Sequence, residues 1–187
     1  MGRALRYEPE NRMTRENYRA WAAAQPSGRF ERIAGIVVAM APERAAHNLR
    51  KGSARDALRR AVRQANLPCE VFGDGMTIEV GESDYEPDAV LRCGERLAGD
   101  AVAVPDPLVI VEVLSPSTSG IDRGLKLRDY FTVASLQHYL IVWPETSRII
   151  RHSRVAAGGI DTEIFTAGEF GLDPPGITLA VEEFYAD

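Results

Sequence analysis

The segment 107–114 (PLVIVEVL) constrains the fold more than any other part of the chain. Its apolar residues alternate onto both faces, which is typical of a central strand covered on both sides. Glu112 lies inside this run, and a buried carboxylate is costly unless a positive group or a metal ion neutralises it. The segment therefore predicts a functional carboxylate, a structural ion pair, or a strand end that reaches solvent.

Length and composition indicate an ordinary folded domain. The chain has 187 residues, of which 45% are hydrophobic and 26% charged, so disordered and collagen-like classes are excluded. We assign residues 13–187 to a single domain and residues 1–12 to a loose N-terminal tail. The net charge of −5 argues against coating of nucleic acid by bulk charge, but it allows a small basic cleft.

The cysteine content and the hydropathy indicate a compartment. Cys69 and Cys93 are too few for a disulfide scaffold and lack the spacing of zinc ligands, so we expect reduced thiols. No run approaches the roughly 18 apolar residues of a membrane span, and the N-terminus lacks the apolar core of a signal peptide. We therefore expect a cytoplasmic protein.

Apolar periodicity and turn residues predict three helices and a series of short strands. The helices are expected over 14–24, 43–66 and 120–135, and the second is strongly basic. Thr14 is a favoured N-cap residue and marks the start of the first helix. A hairpin is expected over 29–40, with a turn at Ala34 and Gly35. Further strands are expected over 69–72, 76–80, 86–92, 107–114, 138–144, 147–153 and 160–166. This order predicts an α/β (α+β) fold with a mixed sheet flanked by helices.

Two other segments carry groups that could act with Glu112. Asp88 follows Pro87, which cannot donate to a strand ladder, so Asp88 lies near a strand start or on an edge strand. An Asp in that position is also a common turn residue. Lys126 lies in the helix after Glu112, where its side chain could reach back over the strand end, or could pair with Asp122 in solvent.

Several motifs of the chain occur together in a familiar order. They are FERIAG at 30–35, Pro87-Asp88, EVLSPST at 112–118, Asp122-Arg123-Gly124, Lys126-Leu127, Tyr130 and YLIV at 139–142. Over residues 13–185 this order resembles the Uma-type restriction endonuclease family of the PD-(D/E)XK nuclease superfamily. The EVLSPST stretch is the most specific of these motifs, and the Pro-Asp pair is the weakest.

The resemblance implies a restriction endonuclease-like core and an endodeoxyribonuclease that hydrolyses DNA phosphodiester bonds. It implies that Asp88, Glu112 and the backbone carbonyl of Val113 hold Mg²⁺ or Mn²⁺, for which hard oxygen ligands are suited. The superfamily lysine that orients the attacking water usually stands two residues after the Glu. Position 114 is leucine here, so Lys126 would have to supply the ammonium.

Accessory roles follow from the same resemblance and from charge. Glu31 and His47 are candidate accessory site residues, and Arg50, Lys51 and Arg123 are candidate contacts to nucleic acid. A solvated helix face is the alternative for the basic helix. We expect a homodimer if both DNA strands are cut, because one site cuts one strand. The alternative function is a catalytically inactive nuclease-fold module that binds DNA or protein.

Overall fold

The computed structural model describes residues 12–114, 122–156 and 158–186, with backbone alone for residues 122 and 123. Helix α1 begins as predicted after Thr14, whose side chain accepts a hydrogen bond from the Asn17 N–H.

No helix in the described part of the chain is long and apolar enough to cross a membrane. The helical elements are α1 (Arg15–Ala23), α2 (Ala45–Gln64), a π-helical turn (Asp122–Lys126), α3 (Leu127–Tyr130) and a 3₁₀ helix (Val181–Phe184).

The strands form three sheets. The strands are β1 (Phe30–Ile33), β2 (Ile36–Ala39), β3 (Cys69–Gly73), β4 (Ile78–Val80), β5 (Ser83–Tyr85), β6 (Ala89–Cys93), β7 (Val109–Val113), β8 (His138–Trp143), β9 (Arg148–Val155), β10 (Gly159–Phe165), β11 (Glu169–Leu172) and β12 (Ile177–Ala180). A six-stranded sheet has the order β10-β9-β8-β7-β6-β3, a four-stranded sheet has the order β2-β1-β5-β4, and β11 pairs with β12. Strands β7 and β8 are parallel and the other neighbours are antiparallel, which confirms the predicted mixed sheet.

Strand β7 lies in the interior of the six-stranded sheet and is buried on both faces, as predicted. On one face Val111 and its neighbours pack against α2 and the β11–β12 hairpin. On the other face Ile110 packs with residues of β4, β5, α3 and β8. The apolar residues of both faces exclude water from the strand that carries Glu112.

Two predicted elements differ from the structure. The strand predicted over 86–92 begins only at Ala89, because Pro87 cannot donate a backbone hydrogen bond. Residues 86–88 connect it to β5, which was not predicted and belongs to the four-stranded sheet. The helix predicted over 120–135 is described from residue 122 and ends at Tyr130. The hairpin of β11 and β12 was not predicted, and the expected loose tail lies outside the described residues except for Arg12, which bridges Ile36.

The prediction of reduced thiols is wrong. Cys69 and Cys93 form a disulfide between β3 and β6. The antiparallel register places these two residues directly opposite each other, and a separation of 24 residues in the sequence does not reveal that pairing. The disulfide also removes one of the two observations on which the cytoplasmic prediction was based.

Helix α2 offers a direct test of this packing. Leu58 is fully buried against the sheet, whereas Leu49 on the same helix is 62% exposed. We expect Leu58→Ala to lower the free energy of unfolding by about 2–5 kcal/mol, because it removes buried methyl groups and leaves a cavity. Leu49→Ala is the matched control and should change it by less than about 0.5 kcal/mol. Chemical denaturation measures both values, and equal effects of the two variants would contradict this placement of α2.

Candidate active site

Glu112 is neutralised by the lysine that the sequence places on the following helix. Its carboxylate lies on the Ile110 face of β7 and is 7% exposed. Oε1 of Glu112 accepts hydrogen bonds from Lys126 Nζ at 3.0 Å and from the Tyr130 hydroxyl at 2.8 Å. Lys126 Nζ also donates to Oε1 of Glu31 at 3.1 Å. The structure therefore brings together three of the predicted site residues, Glu31, Glu112 and Lys126.

The helical segment after β7 places Lys126 and Tyr130 on the same side. The two residues are four positions apart, which is one helical turn. The ring of Tyr130 makes edge contacts with the rings of Tyr85 and Tyr139, with centroids 5.2 and 5.3 Å away. Tyr85 donates a hydrogen bond to Asp129 at 2.7 Å. These aromatic contacts hold the lysine and the tyrosine against the strand that carries Glu112.

Asp88 directly precedes β6 and binds the backbone of the residue after Glu112. Its N–H donates to the Val111 carbonyl at 3.1 Å, and its Oδ2 accepts from the Val113 N–H at 2.6 Å. The Val113 carbonyl in turn accepts a hydrogen bond from His47 Nε2 at 2.8 Å. Both polar groups of the Val113 backbone are thus bound by residues that the sequence predicted for the site.

Glu31 connects the two carboxylates across the junction of the sheets. Its Oε1 accepts a hydrogen bond from the Glu86 N–H at 3.0 Å, two residues before Asp88. The same oxygen contacts Lys126, which contacts Glu112. A continuous chain of contacts therefore runs from Asp88 through Val113, Glu112, Lys126 and Glu31 back to the segment that carries Asp88.

Lys51 lies inside the site rather than on an exposed helix face. It is 5% exposed, and Nζ lies 2.8 Å from Asp88 Oδ1 and 3.1 Å from Asp74 Oδ2. It also donates to Glu43. Arg29 extends this cluster by binding Asp74 and Glu86. This position does not suit the predicted contact of Lys51 with nucleic acid, because Asp88 and its neighbours hold the ammonium.

The spacing of residues along α2 indicates the buried position of Lys51, which its charge alone does not. Lys51, Ala54 and Leu58 are spaced by three and four residues, so they share one face of α2. His47, four residues before Lys51, lies on the same face and also reaches the site. A basic residue in line with the buried face of a helix is a candidate for an internal ion pair.

Burial and charge alter the protonation equilibria of this region. Burial raises the pKa of the Asp88 carboxyl, and the adjacent Lys51 ammonium and Val113 N–H offset part of the rise. Burial lowers the pKa of Lys51, but the charge and hydrogen bond of Asp88 more than offset it, so the pKa is raised. Burial and the nearby Glu112 raise the pKa of Tyr130 well above its ordinary value. Tyr130 is therefore a neutral hydrogen-bond donor at neutral pH.

The ligand atoms of the site are of the chemical type that binds hard divalent cations. The Asp88 carboxylate binds the Val113 N–H, and Glu112 directly precedes Val113 in the chain. Carboxylate oxygens are the ligands that Mg²⁺ and Mn²⁺ prefer. In the described ranges 12–114, 122–156 and 158–186, no three His, Cys, Asp or Glu side chains lie close enough together to hold a metal ion. Lysine ammonium groups instead contact these carboxylates. Any cation would share the carboxylates with Lys51 and Lys126.

The described side chains around the site carry an excess of acidic groups. Three cationic residues, Lys51, Lys126 and Arg29, contact six carboxylates. These carboxylates belong to Glu31, Glu43, Asp74, Glu86, Asp88 and Glu112. An excess of negative charge in a partly buried region favours the binding of a further cation.

Arg50 does not border this cluster. Arg50 turns toward the C-terminal segment, where it donates to the Phe184 carbonyl at 2.8 Å and lies over the Tyr185 ring. The side chain of Arg123 lies outside the described part of the chain, so its predicted contact with nucleic acid stays a prediction.

Comparison with known proteins identifies relatives of similar size. The chain is 30% identical over 137 residues to the uncharacterized protein slr1290 of Synechocystis sp. strain PCC 6803, covering 67% of this chain and 72% of that protein. It is 32% identical over 90 residues to a second protein of that organism, the uncharacterized protein sll1609, covering 46% of this chain and 51% of the relative.

A solved structure shares the fold. It is the crystal structure of a "putative nuclease belonging to DUF820" from Anabaena variabilis, with a TM-score of 0.71 and 13% sequence identity over 92% of this chain and 97% of the other. At this identity the likeness shows the fold. The model of the Uma2 family, described as "Putative restriction endonuclease", matches residues 15–182. Because this match spans most of the sequence, the chain belongs to the Uma2 family of restriction endonuclease-like proteins.

Proposed function

We propose that this protein is a Mg²⁺-dependent endonuclease that hydrolyses phosphodiester bonds of DNA. The observation that carries the proposal is the arrangement around Val113. Asp88 binds its N–H, and the preceding residue, Glu112, is held by Lys126. This arrangement joins two buried carboxylates and a lysine at the ends of adjoining strands. Membership of the Uma2 family and the fold shared with a described nuclease support the proposal.

In this proposal Asp88, Glu112 and the Val113 carbonyl hold the metal ion. When bound, Mg²⁺ or Mn²⁺ lowers the pKa of a water molecule and stabilises negative charge on the scissile phosphate. His47 donates to the Val113 carbonyl and Lys51 donates to Asp88, so both compete with a cation for the same oxygens. Their distances to these oxygens would therefore lengthen when a metal ion binds.

Lys126 orients the attacking water in this proposal. Glu31 and Glu112 hold its ammonium from two directions, and Tyr130 fixes the oxygen of Glu112 that it contacts. A positioned ammonium of this kind can donate a hydrogen bond to the water and stabilise the negative charge that develops on it as its proton passes to solvent. Glu31 is then an accessory residue that holds the lysine in place.

Two further features belong to the proposal. We expect a homodimer when both strands of a duplex are cut, because each site cuts one strand. We also expect the protein to act in the cytoplasm, where its DNA substrate is present. The mass of the protein in solution and its distribution in fractionated cells test these two features.

Removal of either proposed ligand should abolish metal-dependent cleavage. We expect Asp88→Asn and Glu112→Gln each to lower the rate of nicking of supercoiled plasmid on the order of 100-fold or more, because each removes a negative oxygen donor. Chelation of the metal ion should have the same effect on the wild type. Gel analysis of plasmid in Mg²⁺ or Mn²⁺ measures these rates.

The matched controls are Asp161→Asn and Glu169→Gln, which make the same isosteric changes at exposed positions. These variants should nick plasmid at the wild-type rate. Cleavage that survives in both ligand variants would place the chemistry elsewhere. Absence of cleavage in every form, with DNA binding retained, would identify a non-cutting nuclease-fold module.

Two substitutions of Lys126 separate its contribution to stability from its proposed contribution to catalysis. We expect Lys126→Arg to keep most of the thermal stability, because a cation remains beside Glu31 and Glu112. Its rate of nicking should fall on the order of 100-fold, because a planar guanidinium cannot occupy the position of the compact ammonium beside the water. Lys126→Met should lose the nicking activity and, in addition, about 3–5 kcal/mol of stability, since it leaves two buried carboxylates without this partner.

Plasmid nicking and thermal unfolding of the two variants measure these effects side by side. A wild-type rate of cleavage by Lys126→Arg would contradict the proposed role of Lys126 in orienting the attacking water. Unchanged stability of Lys126→Met would contradict the ion pairs with Glu31 and Glu112.

A further inference from the structure

We propose that a basic groove between α2 and the outer edge of β3 binds the phosphate backbone of duplex DNA. This inference rests on the proposed nuclease function and identifies a surface for its substrate. The groove, here named the α2–β3 groove, is open to solvent, and its charged lining residues are Arg59, Arg63, Arg96 and Glu70. Strand β3 is the edge of the six-stranded sheet, so no other strand of the described residues pairs with it on this side.

The groove lies along a path that leads to the candidate active site. Arg59 and Arg63 line the groove together with residues 69–72 of β3. Arg55 lies beside the end of β3, with its Cδ 3.3 Å from the position that a Cβ would occupy on Gly73. Gly73 pairs with Ala89, the residue directly after Asp88. The three arginines are spaced by four residues, so successive side chains leave the helix about 6 Å apart along its axis.

The two arginines of α2 in the groove have no carboxylate partner among the described side chains. Arg59 and Arg63 are exposed, and no described carboxylate forms an ion pair with either of them. Arg63 Nε donates to the Arg59 carbonyl at 3.2 Å, which orients the side chain along the helix. Elsewhere on α2, Arg60 pairs with Glu183 and Arg50 binds the Phe184 carbonyl. The unpaired positive charge of α2 is therefore concentrated on the side that faces β3.

The one acidic side chain of the described groove lining is already balanced. Glu70 accepts hydrogen bonds from Arg92 at 3.1 Å and from the Leu97 N–H at 2.8 Å. Arg96 lies 3.5 Å from its other carboxylate oxygen and is 91% exposed. The groove thus presents a net positive surface on a chain whose overall charge is −5.

The chemistry of this surface fits a series of phosphates. Guanidinium groups bind phosphate oxygens through two parallel hydrogen bonds, and regularly spaced cations match the repeated charge of a nucleic-acid backbone. The α2–β3 groove presents arginines and an edge strand, and within the described part of the chain it has no element that projects far enough to contact base edges in the major groove of DNA. Contacts of this kind position the duplex without reading its sequence.

A charge-matched pair of double variants tests the proposal. Arg59→Gln/Arg63→Gln removes two positive charges from the groove, and Arg60→Gln/Arg148→Gln removes two exposed charges from outside the groove lining. Binding to a fluorescent DNA duplex is measured by anisotropy in EDTA. Reductant is left out because it would break the Cys69–Cys93 disulfide, and Cys69 lines the groove. Thermal unfolding of both variants should match the wild type, since the substituted side chains are exposed.

We expect the groove variant to weaken binding on the order of tenfold, uniformly across duplex sequences. The slope of log K against log salt concentration should fall by about 2, because two phosphate contacts are lost. The control variant should change neither quantity. Equal losses in both variants would show that bulk charge alone binds DNA, and unchanged binding of the groove variant would overturn the proposal. Binding of an RNA duplex but not a DNA duplex would also overturn it.

The outcome for the groove is separable from the outcome for the proposed function. Asp88→Asn should lose plasmid nicking and still bind the duplex with the wild-type salt dependence. The groove variant should raise KM for nicking and recover its rate at high plasmid concentration. If the wild type binds through the groove but never nicks DNA, the nuclease proposal fails and the binding surface remains.

Discussion

The buried carboxylate of Glu112 is the constraint on which the rest of this site depends. It lies on a strand covered on both faces, where an unpaired negative charge would cost several kcal/mol. Lys126 and Tyr130 satisfy it, and they can do so only because the chain returns over β7 through a π-helical turn and a short helix. Glu31 binds the same lysine from the four-stranded sheet. One buried charge thus ties together elements of two sheets.

The backbone of Val113 links this cluster to a second one. Asp88 binds its N–H and His47 binds its carbonyl, and Lys51 neutralises Asp88 from α2. Asp88 and Glu112 therefore each have an ammonium partner from a different helical element. The ammonium groups neutralise these carboxylates, and a divalent cation would compete with them for the same oxygen atoms.

Helix α2 uses its basic residues in three different ways. Lys51 is internal and belongs to the site, whereas Arg50 and Arg60 bind the C-terminal segment. Arg59 and Arg63 face the edge of the sheet and remain available to a polyanion. An acidic protein can act on DNA in this way, because a local concentration of positive charge, rather than net charge, determines where a phosphate backbone binds.

The sequence by itself was sufficient for the central strand and for much of the site. The apolar run around Glu112 predicted a doubly covered strand, and Thr14 predicted the start of α1, because both signals are local. The motifs around Pro87-Asp88 and Glu112 indicated the family. The resemblance to the family implied that Lys126 acts with Glu112, whereas its spacing alone also allowed a pair with Asp122.

Tertiary structure decided the contacts between residues distant in the sequence. Lys51 was expected at a nucleic-acid surface, but the packing of α2 against the sheet turned it toward Asp88. Cys69 and Cys93 were expected as thiols, but the register of β3 and β6 placed them opposite each other. Composition and periodicity describe a residue's own element. They do not specify which face of another element it will meet, because strand register and helix packing depend on the whole core.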